Sequence, residues 1–151
     1  MSAQGHPARS VGVHGSGMTL RILTAGALFV DAGIHVHLAP GYQAGNSAGI
    51  GQGNLFVLES AAAVLAGLYV LLRGTRAAYA VAFVVALSAF VAVVLYRYVD
   101  IPAFGPFPAM YDPVWFFEKS VSAVAEGAGA VLAAVGFVRA GRRTAAGSGT
   151  T

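Results

Sequence analysis

Apolar residues along this chain fall into four long runs, separated by short stretches rich in polar residues, Gly or Pro. The runs cover about residues 18–39, 55–72, 77–99 and 120–138. A helix needs roughly 20 apolar residues to cross about 30 Å of hydrocarbon, and each run is close to that length. The pattern predicts an all-α integral membrane protein, a four-helix bundle with one domain over residues 18–138.

The connections between the runs differ in character. A Gly-rich loop, "PGYQAGNSAGIGQGN", joins the first two helices, and the four residues "RGTR" form a tight turn between the second and third. A longer loop rich in Pro and aromatic residues, "DIPAFGPFPAMYDPVWFFEK", joins the last two. The tails at residues 1–17 and 139–151 are rich in small residues, so we expect both to be disordered.

Composition agrees with a membrane location. The 151 residues are 57% hydrophobic and only 10% charged, whereas a soluble domain has about 25% charged residues. Such a chain lacks the polar surface of a water-soluble globule, so we expect the lipid bilayer to surround it. The chain has no cysteine, which excludes a disulfide framework and a thiol nucleophile.

The basic residues predict the orientation of the bundle. If four helices alternate, seven arginines fall on one side of the membrane: Arg9, Arg21, Arg73, Arg76, Arg139, Arg142 and Arg143. Only Arg97 and Lys119 fall on the other side. By the positive-inside rule both termini are then cytoplasmic. We expect a multi-pass protein of the cell membrane, and more specifically of a bacterial inner membrane.

The acids show the opposite asymmetry, because all six lie in the outer half of the bundle or in its outer loops. Three of them, Asp31, Glu59 and Glu126, lie inside three different helices. At 1.5 Å per residue each is roughly 5–7 Å from the centre of its span. Three carboxyl groups from three helices are therefore expected at one depth.

Ionisable residues inside a membrane nearly always face the bundle interior or a water-filled cavity. Three ionised carboxyl groups together would repel, so a proton or a cation must accompany them. The sequence predicts a polar pocket that opens outward and is lined by Asp31, His35, Glu59, Arg97, Glu118 and Glu126. The alternative is that these groups form interhelical hydrogen bonds that only hold the bundle together.

Helical spacing orients some of these residues. His35 follows Asp31 by four positions and shares its face of the first helix, whereas His37 points away toward the membrane boundary. Ser122 shares one face of the fourth helix with Glu118 and Glu126. Zinc or a similar ion could bind to His35, Glu59 and Glu126. These residues are far apart in sequence, however, so the pattern does not identify a metal site.

Aromatic residues crowd the outer boundary, among them Phe104, Phe107, Tyr111 and Trp115. The simpler interpretation is an aromatic belt at the membrane surface. The alternative is a lid over the pocket, stiffened by the four prolines of the loop. The only histidines within the spans lie near one end of one helix, which argues against a bis-His haem. No loop cradles a phosphate, and nothing indicates nucleic-acid binding.

The stretch "RILTAGALFVDAGIHVHL" resembles the first helix of DoxX-like small four-helix bacterial membrane proteins. The matching residues are Arg21, Gly26, Phe29 and Ala32-Gly33-Ile34, and Glu59 followed by "GLYVLLRGTRAA" continues the resemblance. It covers roughly residues 21–80. The resemblance implies an accessory or quinone-associated subunit of a membrane redox system, with an isoprenoid quinone as cofactor and a redox complex or a second copy as partner.

The second function class is a membrane module without enzymatic activity that binds a ligand, an ion or a partner, and whose buried acids mainly hold the bundle together. No residue pattern identifies a reaction. We therefore expect that the chain is not an enzyme on its own.

Overall fold

The computed structural model describes residues 12–43 and 50–147 and is built from four α-helices. In chain order they are α1 (Gly12–Gln43), α2 (Gln52–Arg73), α3 (Arg76–Tyr98) and α4 (Phe117–Gly147). Each contains a stretch long and apolar enough to cross a membrane, and the shortest stretch, in α2, has 22 residues. At 1.5 Å per residue it is about 33 Å long. The predicted all-α fold with four helices of membrane-spanning length is confirmed.

The helices extend beyond most of the predicted runs. Residues 12–17 and 139–147, which we expected in disordered tails, are helical. Helix α1 also continues through Pro40 to Gln43. A proline in the last turn removes only one backbone hydrogen bond, so it does not end the helix here. The rest of both predicted tails lies outside the described residues.

The turn between α2 and α3 is as short as the sequence predicts. Gly74 ends α2 in the left-handed conformation, with φ of 54°, and its N–H donates to the Val70 carbonyl. Thr75 caps α3 by accepting a hydrogen bond of 3.3 Å from the Ala78 N–H. Glycine adopts positive φ at little cost, so the chain reverses within two residues and α2 runs antiparallel to α3.

Each helix packs mainly against two neighbours: α1 against α2 and α4, and α3 against α4 and α2, with a minor contact between α1 and α3. Small residues fill the interior, including Ala63, Ala66, Ala82 and Ala133, all at most 1% exposed. Leu28, Val70 and Tyr79 are buried among them, but many other large apolar side chains face outward, and Leu72 is 76% exposed. A small-residue interior with an exposed apolar exterior is the arrangement expected of helices packed in lipid.

The bundle has two distinct ends. At the turn end lie the Gly74-Thr75 turn, the start of α1 and the end of α4. At the opposite loop end, residues 101–110 form a small hairpin, which we call the lid hairpin. Its backbone pairs Ile101 with Met110 and Phe104 with Phe107, and Gly105 has φ of 55°. A backbone hydrogen bond joins the lid hairpin to the segment before α2, because the Ile50 N–H donates to the Pro106 carbonyl.

Candidate functional site

A cluster of ionisable side chains lies inside the bundle, in its loop-end half. Helix α1 contributes Asp31 and His35, α2 contributes Glu59, and α4 contributes Ser122 and Glu126. Ligand atoms of Asp31, His35 and Glu59 all lie within 4.8 Å of one another. We call these five residues the acid–histidine cluster. Asp31 and Glu126 are almost fully buried, at 1% and 2% exposure.

His35 is placed between two carboxyl groups. Its Nδ1 lies 3.0 Å from Asp31 Oδ1 and 3.1 Å from Glu59 Oε2. The same nitrogen lies 3.2 Å from the Asp31 carbonyl oxygen. A single Nδ1–H cannot form three good hydrogen bonds at once. Glu59 therefore receives little hydrogen bonding from His35. The edge of the His35 ring meets Phe56 at a centroid distance of 4.9 Å, which fixes the orientation of the imidazole.

Ser122 joins two helices through the cluster. Its hydroxyl donates to Asp31 Oδ1 at 2.5 Å and lies 3.3 Å from Glu126 Oε1. A hydroxyl has one hydrogen, so it satisfies one of these oxygens at a time. Helices α1 and α4 are therefore held together by a polar contact at the depth where α2 brings in Glu59.

Several carboxyl oxygens in the cluster lack a hydrogen-bond donor. Within the described part of the chain, Asp31 Oδ2, Glu59 Oε1 and Glu126 Oε2 are buried without one. Three ionised carboxylates would carry a charge of −3, and a protonated His35 would supply only +1. Buried polar groups are costly when unpaired, so the cluster is suited to receive protons, a cation or a donor group from a ligand.

A cavity of about 670 Å³ begins at this cluster and extends to the lid hairpin. His35, Glu59, Ser122 and Glu126 form its polar end. The rest of its wall is mostly apolar and comes from all four helices and the loop; it includes Leu38, Leu55, Phe56, Ala89, Ala92 and Val93. Most ligand pockets have about 300–1,000 Å³ and combine an apolar wall with a few polar groups.

The lid hairpin forms the far wall of this cavity. Phe104, Phe107 and Tyr111 all line it, although their side chains are 78%, 43% and 49% exposed. They occupy the positions that the lid interpretation requires, while their exposed parts remain available to a membrane surface. Trp115, the fourth aromatic residue of the prediction, is not part of the wall, and its ring centroid lies 5.6 Å from Lys119 Nζ.

Asp112 anchors the base of the lid hairpin to three helices. Its Oδ2 accepts a hydrogen bond of 3.0 Å from the Tyr42 hydroxyl and lies 3.0 Å from Lys119 Nζ. Its N–H donates to the Tyr96 carbonyl at 3.0 Å. The Lys119 side chain is 7% exposed and that of Asp112 is 30% exposed, so this ion pair is partly shielded from solvent and ties the base of the hairpin to α4.

Three of the six residues of the predicted pocket do not line the cavity. Arg97 does not reach the acids; its guanidinium carbon lies 5.1 Å from the centroid of the Tyr98 ring. Glu118 is half-buried on α4 but outside the cavity wall. Asp31 belongs to the acid–histidine cluster and contacts His35, but it does not line the cavity either. His37 is exposed, on a different side of α1 from His35.

The sequence pattern missed several polar residues of the wall, among them Tyr42 and Asp112. Tyr42 lies beyond the predicted end of the first helix and is brought to the site because α1 continues past Pro40. Asp112 looks like an ordinary loop acid, and its role depends on Lys119 and Tyr42, which is 70 residues away in sequence. No local spacing could have indicated that contact.

Comparison of this chain with family models, with curated proteins and with solved structures finds no match.

Proposed function

We propose that this protein is a multi-pass membrane protein that binds an amphipathic ligand in the loop-end cavity. The ligand has a flat polar head that contacts the acid–histidine cluster and an apolar portion that contacts α3 and the lid hairpin. Isoprenoid quinones have this chemistry. The observation that carries the proposal is one cavity of about 670 Å³ that has the acid–histidine cluster at one end and a mostly apolar wall beyond it.

The polar end of the cavity suits a quinone head. A quinone oxygen accepts hydrogen bonds, which the His35 ring can donate, and the hydroxyl of the reduced form can donate to Glu59 or Glu126. Oxygens of both glutamates are buried without a donor among the described residues. A ligand hydroxyl in this position would remove the cost of leaving them unpaired.

The apolar wall suits an isoprenoid tail. Ser88 and Val93 of α3 line the cavity, and Ser88 is exposed on the outside of the bundle. The cavity wall therefore reaches the outer surface of the bundle at α3. We propose that a tail leaves the cavity by this route and stays in hydrocarbon while the head is bound.

The wider role follows from the sequence. The resemblance of residues 21–80 to DoxX-like proteins suggests an accessory subunit of a membrane redox system. The arginine distribution suggests that both termini are cytoplasmic and that the loop end faces outward. In this role the chain binds and orients its ligand, and a partner complex carries out the electron transfer.

The test is organic extraction and mass spectrometry of protein purified in a mild detergent. We expect roughly one isoprenoid quinone per chain in the wild type and at least a tenfold loss in Glu59→Gln. Ala92→Phe should produce the same loss by filling the cavity. Val91→Phe is the matched control, because Val91 is 51% exposed and outside the cavity wall. Equal retention in all four proteins would rule out this cavity as the site.

A second candidate function is binding of a divalent metal ion by Asp31, His35 and Glu59. Their ligand atoms are close together, with His35 Nδ1 3.0 and 3.1 Å from the two carboxylates. Ligands at about 2.1 Å from one zinc ion stand roughly 3.0–3.4 Å apart. A divalent cation would also offset the excess negative charge of the cluster.

Metal analysis of the same preparations separates the two functions. The metal function predicts near-stoichiometric zinc, iron or manganese that is lost in both Asp31→Asn and Glu59→Gln but kept in Ala92→Phe. The quinone function predicts loss of the ligand in Ala92→Phe. If the cluster only holds the bundle together, all three proteins contain neither ligand, and the two cluster variants unfold more easily than Ala92→Phe.

A further inference from the structure

A second cavity, of about 450 Å³, lies at the turn end of the bundle. Its wall includes three arginines from three different helices: Arg21 of α1, Arg76 of α3 and Arg139 of α4. Gly17, Gly74 and Gly136 form part of the same wall. The lid hairpin and the acid–histidine cluster are at the other end of the protein, so this cavity is independent of the function proposed above.

Two of the arginines are held in place by specific contacts. Arg21 Nη2 donates to the Arg73 carbonyl at 3.1 Å, at the end of α2. Its guanidinium lies against Gly74, where any side chain would overlap it. The Arg76 guanidinium carbon lies 4.2 Å from the centroid of the Phe137 ring. These contacts place two positive charges beside the cavity without neutralising either of them.

No carboxylate side chain is available to pair with these arginines. All six acids of the chain lie between positions 31 and 126. Asp31 is ten residues from Arg21 along α1, and Glu126 is thirteen from Arg139 along α4. At 1.5 Å per residue these separations are about 15 and 20 Å, well beyond ion-pair distance. Arg73 and Arg142 add further positive charge nearby.

We propose that Arg21, Arg76 and Arg139 form a binding site for a phosphate group in the turn-end cavity. Guanidinium groups bind phosphate oxygens through paired hydrogen bonds, and three of them would share one anion. Basic pockets between membrane helices bind the head groups of anionic lipids. The cavity lies at the helix ends, where a phospholipid head would be, and a soluble phosphate compound carries the same group.

The first step of the test measures binding to the full-length protein in an uncharged detergent. Native mass spectrometry measures how much phosphatidylglycerol the protein retains. Phosphatidylcholine is the control lipid, because its choline group offsets the charge of its phosphate. We expect phosphatidylglycerol to be retained at least tenfold more than phosphatidylcholine. Equal retention of the two lipids, in a protein that inorganic phosphate does not stabilise against heat, would overturn the proposal.

Variants then localise the site. Arg139→Gln should lower retention of phosphatidylglycerol at least tenfold, and Arg21→Gln should do the same if the protein stays folded. Arg142→Gln is the control, because it removes the same charge from an exposed position of α4 outside the cavity wall. If Arg142→Gln lowers binding as much as Arg139→Gln, the attraction is non-specific and the site does not exist.

Competition identifies the source of the phosphate. If inorganic phosphate at millimolar concentration displaces the lipid from the wild type and not from Arg139→Gln, the site accepts soluble phosphate compounds. If it displaces nothing while phosphatidylglycerol is bound selectively, the site is one for a lipid head group. Either result supports a phosphate site, and only its natural ligand differs.

Discussion

The Ser122 hydroxyl of α4 donates a hydrogen bond of 2.5 Å to Asp31 Oδ1 of α1, across 91 positions of sequence. This contact joins the two helices at the depth of the cavity's polar end. It also determines which oxygen of Asp31 is satisfied, since Oδ2 is buried without a donor among the described residues. Much of the site's geometry rests on this pair.

Removing the serine hydroxyl should weaken the bundle. In Ser122→Ala, Asp31 loses a buried donor, and interhelical hydrogen bonds in membrane proteins contribute about 0.6 kcal/mol on average and up to about 1.7 kcal/mol. We expect the free energy of unfolding in detergent to fall within that range. Ser120→Ala is the control, because Ser120 is exposed and its hydroxyl bonds only locally, to the carbonyl of Phe116 just before α4. An equal loss in both variants would contradict a role for the interhelical bond.

Close packing of α3 on α4 depends on Gly136. A Cβ at this position would overlap the ring of Tyr79, a buried residue of α3. We expect Gly136→Ala to lower the free energy of unfolding by about 1–3 kcal/mol, the usual cost of overpacking a core. Gly26→Ala should have no such effect, because a Cβ there meets nothing within 4 Å. Denaturant titration of both variants in detergent checks the difference.

The lid hairpin should loosen when its anchor is removed. Asp112→Ala deletes the carboxylate that accepts from the Tyr42 hydroxyl and pairs with Lys119, and leaves Lys119 only its hydrogen bond to the backbone carbonyl at this position. We expect hydrogen exchange of the Phe104, Phe107 and Met110 amides to accelerate at least tenfold, since each donates within the hairpin. Asp100→Ala removes an exposed acid near the same loop and should leave these amides unchanged. Unchanged exchange in Asp112→Ala would mean that the backbone pairing alone holds the hairpin.

The orientation in the membrane can be tested without background labelling, because the chain has no cysteine. We expect a membrane-impermeant maleimide added to intact cells to label Ala103→Cys, which lies on the lid hairpin. Ala77→Cys, at the first turn of α3, should be labelled only after the membrane is opened. Both positions are exposed on the protein. The reverse labelling pattern would place the termini outside.

The sequence by itself determined the features that depend on local composition. Each run of about 20 apolar residues is long enough to become a helix of membrane-spanning length regardless of its neighbours. The Gly-Thr turn at positions 74–75 follows in the same way from the positive φ that glycine permits. The common depth of Asp31, Glu59 and Glu126 could be computed from helix rise alone.

Only the tertiary structure decided which polar groups meet. The rotation of each helix about its own axis depends on packing against residues far away in sequence, and so does the path of the long loop. That rotation brings Ser122 to Asp31 and leaves Arg97 beside Tyr98. The path of the loop places Asp112 between Tyr42 and Lys119 and brings Phe107 over the cavity. The sequence contains no information about such long-range contacts, so it left both the aromatic belt and the lid open.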